Sequence, residues 1–220
     1  MRCVIFDLDG TLADTSGDLI AAANVCFDAM GAGVRLDPGA DAGVALRGGR
    51  AMLTEGLGRI GGADPAVVDR WYPALLEAYG GALDVHTRMY PGAAETVEAL
   101  RRDGYAVGVC TNKPEALAQR LLAALGVRDL FGALIGADTL ATRKPDVAPY
   151  WAAVEGAGGR RDASLLVGDS DTDRKTAAAA GVPCILVTFA PGGAAVRELA
   201  PEGVIDAFAE LPAEVRRLIG

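Results

Sequence analysis

The chain has 220 residues, 51% of them apolar and 23% charged, which is enough apolar sequence for one large domain or two modest ones. That excludes a disulfide-stapled miniprotein and a disordered chain. Its 21 basic and 29 acidic residues leave a net charge of −8, which repels a phosphate backbone and an anionic surface, so neither nucleic acid nor membrane is expected as a partner.

The first expected element is a buried strand over Cys3-Val4-Ile5-Phe6, running directly into Asp7-Leu8-Asp9-Gly10-Thr11. Those acids come too early for the apolar stretch of an export signal, and no later run approaches the roughly 18 apolar residues of a membrane span. From Asp14 to about Arg88 the apolar spacing becomes helical. Leu19, Ala23, Cys26 or Phe27, and Met30 recur behind Thr15-Ser16, with Gly31 as the stop. A second helix opens at Asp64-Pro65, an N-cap followed by a first-turn proline, and carries Val68, Trp71, Leu75 and Tyr79 on one face.

Beyond Tyr90-Pro91-Gly92 helices and strands alternate: helix 92–103, strand 105–111, helix 114–125, a weaker strand 133–138, helix 145–157, strand 165–167, helix 172–180 and strand 184–189. Near-continuous apolar strands separated by helices predict a doubly wound parallel α/β sheet, Rossmann-like and covered on both faces. The expected domains are an α/β core of residues 1–14 and 89–220 and an all-helical cap domain of residues 15–88, inserted after the first strand. Cys3, Cys26, Cys110 and Cys184 form no C-x-x-C pair and stand away from the single histidine, His86. They offer no zinc site and read as reduced thiols of a cytoplasmic protein, with Cys3, Cys110 and Cys184 as small buried hydrophobes in strands.

In an open parallel sheet, ligands bind beyond the carboxyl ends of the strands where the strand order reverses. This chain gathers Asp7 and Asp9, Thr111 and Asn112, Asp138, and Asp169 to Asp173 at such ends, with Lys144 at the entry to the next helix. Any one strand-end acid serves equally well as a cap or turn residue. The set is harder to explain that way, because carboxylates on strands about 4.8 Å apart repel by about 4 kcal/mol at an effective dielectric of about 20. A cation is needed between Asp7 and Asp169, and hard oxygen ligands without histidine or cysteine point to Mg2+. Gly56-Leu57-Gly58-Arg59-Ile60-Gly61 matches the dinucleotide pattern G-x-G-x-x-G, but it lies in the helical block with no strand before it.

Asp7-Leu8-Asp9-Gly10-Thr11, Thr111-Asn112, Lys144-Pro145 and Gly168-Asp169-Ser170-Asp171-Thr172-Asp173 resemble, in order, the four motifs of the haloacid-dehalogenase-like superfamily. Tyr90-Pro91-Gly92, Cys110-Thr111-Asn112-Lys113-Pro114-Glu115 and Arg143-Lys144-Pro145-Asp146 resemble its bacterial phosphoglycolate phosphatases. The resemblance implies a Mg2+-dependent phosphatase with a helical cap, acting on a small phosphate monoester of the phosphoglycolate kind. It implies Asp7 as the nucleophile that becomes an aspartyl-phosphate, and Asp9 as general acid and then base. Thr111 would bond a phosphoryl oxygen and Lys144 neutralise charge. The metal would be held by Asp7, the Asp9 carbonyl, Asp169 and, through water, Asp173. The amides of Leu8 and Gly10, with Asn112, would cradle the phosphate.

Arg47 and Arg50, in a segment that departs from the Gly-Asn-Gly of related caps, are candidates for reading a carboxylate at the substrate's other end. Asp9 argues against a metal-free dehalogenase. The absence of any lysine from residues 15–88 argues against a Schiff-base phosphonatase. A sugar phosphomutase shares all four motifs and stays as an alternative, as does a non-enzymatic phosphate-sensing module.

Overall fold

β1 (Cys3–Phe6) is buried at every residue, as an unbroken apolar run requires when both faces of a sheet are covered. In the computed structural model, which describes residues 1–220, the elements that follow are β2 (Ala13–Asp14), α1 (Ser16–Met30), α2 (Ala42–Ala45), α3 (Gly49–Gly58), α4 (Pro65–Gly81) and β3 (Arg88–Met89). Helices and strands then alternate through α5 (Ala93–Arg102), β4 (Ala106–Cys110), α6 (Glu115–Ala124), β5 (Ala133–Ile135), α7 (Ala148–Gly156), β6 (Ser164–Gly168), α8 (Asp171–Ala180) and β7 (Cys184–Val187). The chain closes with β8 (Gly203–Ile205) and α9 (Leu211–Ile219), neither of which was expected from the apolar pattern.

Six strands form one sheet in the order β5-β4-β1-β6-β7-β8, and every pairing in it is parallel. The strand order reverses at β1: the chain moves outward through β4 and β5, then crosses to the other side for β6, β7 and β8. Phe6 pairs with Val109 on one side and Val167 on the other, so the residues after β1, β4 and β6 emerge together at the carboxyl edge. Ile5, Cys110, Tyr150, Val154, Leu166 and Leu186 lie in the core beneath them. The buried Tyr150 hydroxyl donates to Ser164 Oγ at 2.9 Å. All four cysteines are free and buried, and burial pushes the Cys3 and Cys110 thiols up to about 12, which makes them inert packing groups.

The strand expected over 133–138 and the helix expected over 145–157 are shortened most, and polar caps account for both. Asp138 lies outside β5 because its Oδ1 accepts the Glu115 N–H at 2.7 Å, capping α6. α7 starts only at Ala148, whose N–H is taken by Asp146 Oδ1 at 2.8 Å.

The chain divides into two compact units, residues 1–14 with 89–220, and residues 15–88. In the second unit, α1 ends at Gly31 in a left-handed conformation with φ 64°, and α4 is capped by the Asp64 side chain, which accepts the Ala66 N–H at 2.8 Å. Val68, Leu75 and Tyr79 of α4 are buried, with Trp71 half-buried. The buried Asp18 carboxylate joins the beginning of this unit to its end. Its Oδ2 accepts the Thr87 N–H at 2.9 Å and the Thr87 hydroxyl at 2.8 Å, and its Oδ1 accepts the His86 N–H at 2.9 Å. No helix is long and apolar enough to cross a membrane.

α2 and α3 were not expected as separate helices, and packing supplies what their glycines withhold. A Cβ on Gly56 would overlap the ring of Phe27 from α1, so the first glycine of the dinucleotide look-alike is a helix-contact residue. Gly56→Ala is therefore expected to cost about 1–3 kcal/mol in urea unfolding, the usual cost of overpacking. Gly58→Ala is the control, since its Cβ would meet only Ala63, at 3.9 Å, and its stability should be unchanged or slightly higher.

Candidate active site

The chain leaves β1 in a tight turn that its own backbone closes. The Asp7 N–H bonds Val167 O at 2.9 Å, extending the β6 pairing by one residue. The Leu8 carbonyl then accepts the N–H groups of Thr11, Leu12 and Ala13, while Gly10 takes φ 79° so that its N–H reaches Ala13 O at 2.9 Å. Asp7 Oδ1 accepts the Leu8 N–H at 2.7 Å. The two amides expected to cradle a phosphate, those of Leu8 and Gly10, thus make their bonds inside the turn.

Lys144, only 2% exposed, stands between two of the carboxylates. Its Nζ lies 3.0 Å from Asp7 Oδ2 and 2.7 Å from Asp173 Oδ1. Burial opposes its charge, but Asp173 and Asp7 outweigh that and hold the ammonium above its ordinary range. The other oxygen of Asp173 accepts the Ser170 hydroxyl at 2.7 Å and the N–H groups of Ser170 and Asp169 at 3.2 and 3.3 Å. One carboxylate therefore both binds the lysine and holds the N-terminus of α8. Residue 168 has to be glycine for this, because a Cβ there would overlap the Asp173 carboxylate.

Asp169 Oδ1 accepts the Thr11 hydroxyl at 3.1 Å, a contact that only the structure reveals. Burial pushes Asp7 up to about 6; Lys144 opposes that shift, while Asp173 and Asp9 add to it. Asp169 is raised well above the ordinary carboxylate value, by burial first and then by Asp173 and Asp7.

The loop after β4 supplies the remaining groups. Thr111 is buried, and its Oγ1 accepts the Lys113 N–H at 3.2 Å, which leaves the hydroxyl hydrogen to donate elsewhere. Asn112 donates its amide to Lys144 O at 3.0 Å and so braces the loop that carries that lysine. Lys113, which the sequence marked only as part of a motif, is 6% exposed, and its Nζ lies 2.8 Å from Asp9 Oδ1. Arg47 and Arg50 belong to the helical unit, and both are exposed. Arg50 is paired with Asp69 and stacks on Tyr72, 4.4 Å from the ring centre.

Carboxylate oxygens of Asp7, Asp169 and Asp173 lie within 4.8 Å of one another. An all-oxygen donor set fits Mg2+. Asp7 and Asp169 would hold it directly. Asp173, whose oxygens are already filled by protein donors, fits contact through water.

Residues 1–181 match the family model of the haloacid dehalogenase-like hydrolases. The phosphoglycolate phosphatase of Rhodospirillum rubrum is 39% identical over 216 residues, covering 96% of this chain and 89% of that protein. That of Agrobacterium fabrum is 39% identical over 218 residues, covering 98% and 93%. Among solved structures, a predicted phosphoglycolate phosphatase from Haemophilus somnus 129pt has a TM-score of 0.82 at 25% identity over 97% of both chains. CbbY from Rhodobacter sphaeroides, solved as a mutant in complex with xylulose-(1,5)bisphosphate, shares the fold with a TM-score of 0.78 at 24% identity, covering 98% of this chain and 99% of that one. With the motif residues gathered at one sheet edge and the match spanning nearly the whole chain, this protein belongs to the haloacid dehalogenase-like hydrolases, as one of their phosphatases.

Proposed function

We propose that this enzyme is a Mg2+-dependent phosphatase that cleaves phosphoglycolate or a close relative through a phosphorylated Asp7. The observation that carries this reading is the buried Lys144 ammonium between Asp7 and Asp173, with Asp169 beside them. Asp7 attacks phosphorus as the ester P–O bond breaks, and Asp9 gives its proton to the departing alkoxide. Asp9 then takes a proton from the water that attacks the aspartyl-phosphate, and inorganic phosphate leaves. The Thr111 hydroxyl donates to a phosphoryl oxygen and Lys144 balances the charge that gathers there. Mg2+ would be held by Asp7, Asp169, the Asp9 carbonyl and, through water, Asp173, and when bound it would supply further neutralisation of negative charge at the site. The names of the relatives support a carboxylated substrate, and the four unpaired thiols support a reducing, cytoplasmic setting.

Asp7→Asn removes the nucleophile while keeping its shape. Phosphate release from phosphoglycolate should fall more than about a hundredfold, since covalent catalysis normally carries several decades of acceleration, with an unchanged circular-dichroism spectrum. Activity within tenfold of the parent would refute the covalent route.

Metal removal should show in stability as well. An acid whose folded pKa is raised binds its proton more tightly in the folded state, so between the ordinary value of 3.8 and about 6 the metal-free protein loses stability from Asp7 as pH rises. Asp169 acts in the same direction. Thermal melts in EDTA should therefore fall through that window less steeply in Asp7→Asn than in the parent. Added Mg2+ should raise the Tm more at about pH 7, where the proton no longer competes, than at about pH 5.

Arg47 is the better candidate of the two arginines for reading a carboxylate, because Arg50 is already paired with Asp69 and stacked on Tyr72. Arg47→Ala should lower kcat/KM for phosphoglycolate about tenfold or more relative to p-nitrophenyl phosphate, as the loss of a charge-assisted pair predicts. Arg50→Ala should leave that ratio near the parent's.

A further inference from the structure

Only three of the chain's 21 basic side chains are lysines. Lys175 is exposed and paired with Asp171 along α8, whereas Lys113 and Lys144 are buried at the carboxyl edge of the sheet. Lys144 serves Asp7 and Asp173, and Lys113 serves Asp9.

The backbone of Lys113 is fixed on both sides. Its N–H donates to Thr111 Oγ1 at 3.2 Å, and its carbonyl accepts the Ala137 N–H at 2.9 Å. Asp9 in turn sits in the turn closed by the Leu8 carbonyl and the Gly10 N–H. An anchored ammonium thus meets a carboxylate on an anchored turn, and the contact is through Oδ1 at 2.8 Å.

The choice of lysine matters in a chain that uses arginine nearly everywhere else. A guanidinium bridges both oxygens of a carboxylate, whereas an ammonium binds one as a point charge. A carboxylate that must pass a proton to a leaving group needs its second oxygen unbridged.

We propose that Lys113 is the positioning residue for proton transfer, fixing the rotation of the Asp9 carboxylate through Oδ1 so that Oδ2 occupies the one place from which it meets the departing oxygen. This rests on the assignment of Asp9 as the general acid. Lys113 touches neither phosphorus nor the nucleophile in this role, so its loss affects a step only where the leaving group needs a proton.

The test compares two esters in single turnovers, with enzyme in excess and Mg2+ present, so that cleavage of the ester bond is observed apart from hydrolysis of the aspartyl-phosphate. Cleavage of phosphoglycolate releases the glycolate alkoxide, which needs a proton, whereas cleavage of p-nitrophenyl phosphate releases a nitrophenolate that does not. Lys113→Met should slow phosphoglycolate at least about tenfold more than the nitrophenyl ester, within the range of general acid catalysis. Asp9→Asn should show the same selectivity more strongly, and the double variant should lose nothing beyond Asp9→Asn. Lys113→Gln, which keeps chain length and a donor, is scored by the same ratio, so a Met variant that fails to fold does not decide the outcome. Equal losses on both esters, or none, overturn the proposal while the Asp9 assignment stands. An Asp9→Asn variant without ester selectivity overturns that assignment, and the proposal with it.

Discussion

Asp7, Asp9, Asp169 and Asp173 converge because β1 lies between β4 and β6, and two such charges about 4 Å apart repel by about 4 kcal/mol at an effective dielectric of about 20. Much of the α/β unit's carboxyl edge is an answer to that repulsion. Lys113 comes from the loop after β4 and Lys144 from the segment before α7, each reaching a different part of the cluster. Asn112 holds the Lys144 loop, Thr11 holds Asp169, and the first turn of α8 holds Asp173. A buried ion pair of this kind contributes little net stability, because desolvation offsets its attraction, yet removing one member strands the other. The arrangement therefore makes sense as preorganisation for an anionic reaction more than as a stability device.

Asp173 illustrates how folding and chemistry are combined in one side chain. It is fully buried, one oxygen bonds the lysine, and the other satisfies donors at the start of α8. Gly168 leaves room for it, so a glycine and an aspartate five residues apart form a single structural unit. Asp138 and Asp146 are the contrast: acids at comparable strand and loop ends that cap helices and have no part in the cluster.

Much of this was legible in the residues themselves. β1, β4, β6 and β7 lie inside the sheet, where burial of both faces forces unbroken apolar runs that end abruptly in polar residues. β5 and β8 form the two edges and are three residues each, so β5 gave only a weak, overlong strand pattern and β8 none. α3 opens and closes on glycine and contains Gly56 as well, so its local propensity is poor, and Gly56 lets it pack closely on Phe27. α9 did carry a signal, with Leu211 and Val215 four residues apart and Pro212 in the first turn. Asp7, Asp9, Thr111, Lys144 and Asp169 stood out because each follows or faces a strand end. Lys113 did not, since a lysine in a loop ordinarily reaches into water and only its burial against Asp9 distinguishes it.

The central place of the first strand also orders the chain's birth. β1 precedes both of its neighbours, residues 106–110 and 164–168, so it waits about a hundred residues for the first side to be covered and more than fifty further for the second. The helical unit has no such delay, because α1, α2, α3 and α4 pack on one another and all four have emerged by residue 88. A nascent chain of this protein thus carries one short apolar strand ahead of a segment whose helices can already pack on one another. The acidic residues that follow that strand give the waiting end a charge that opposes association with other chains.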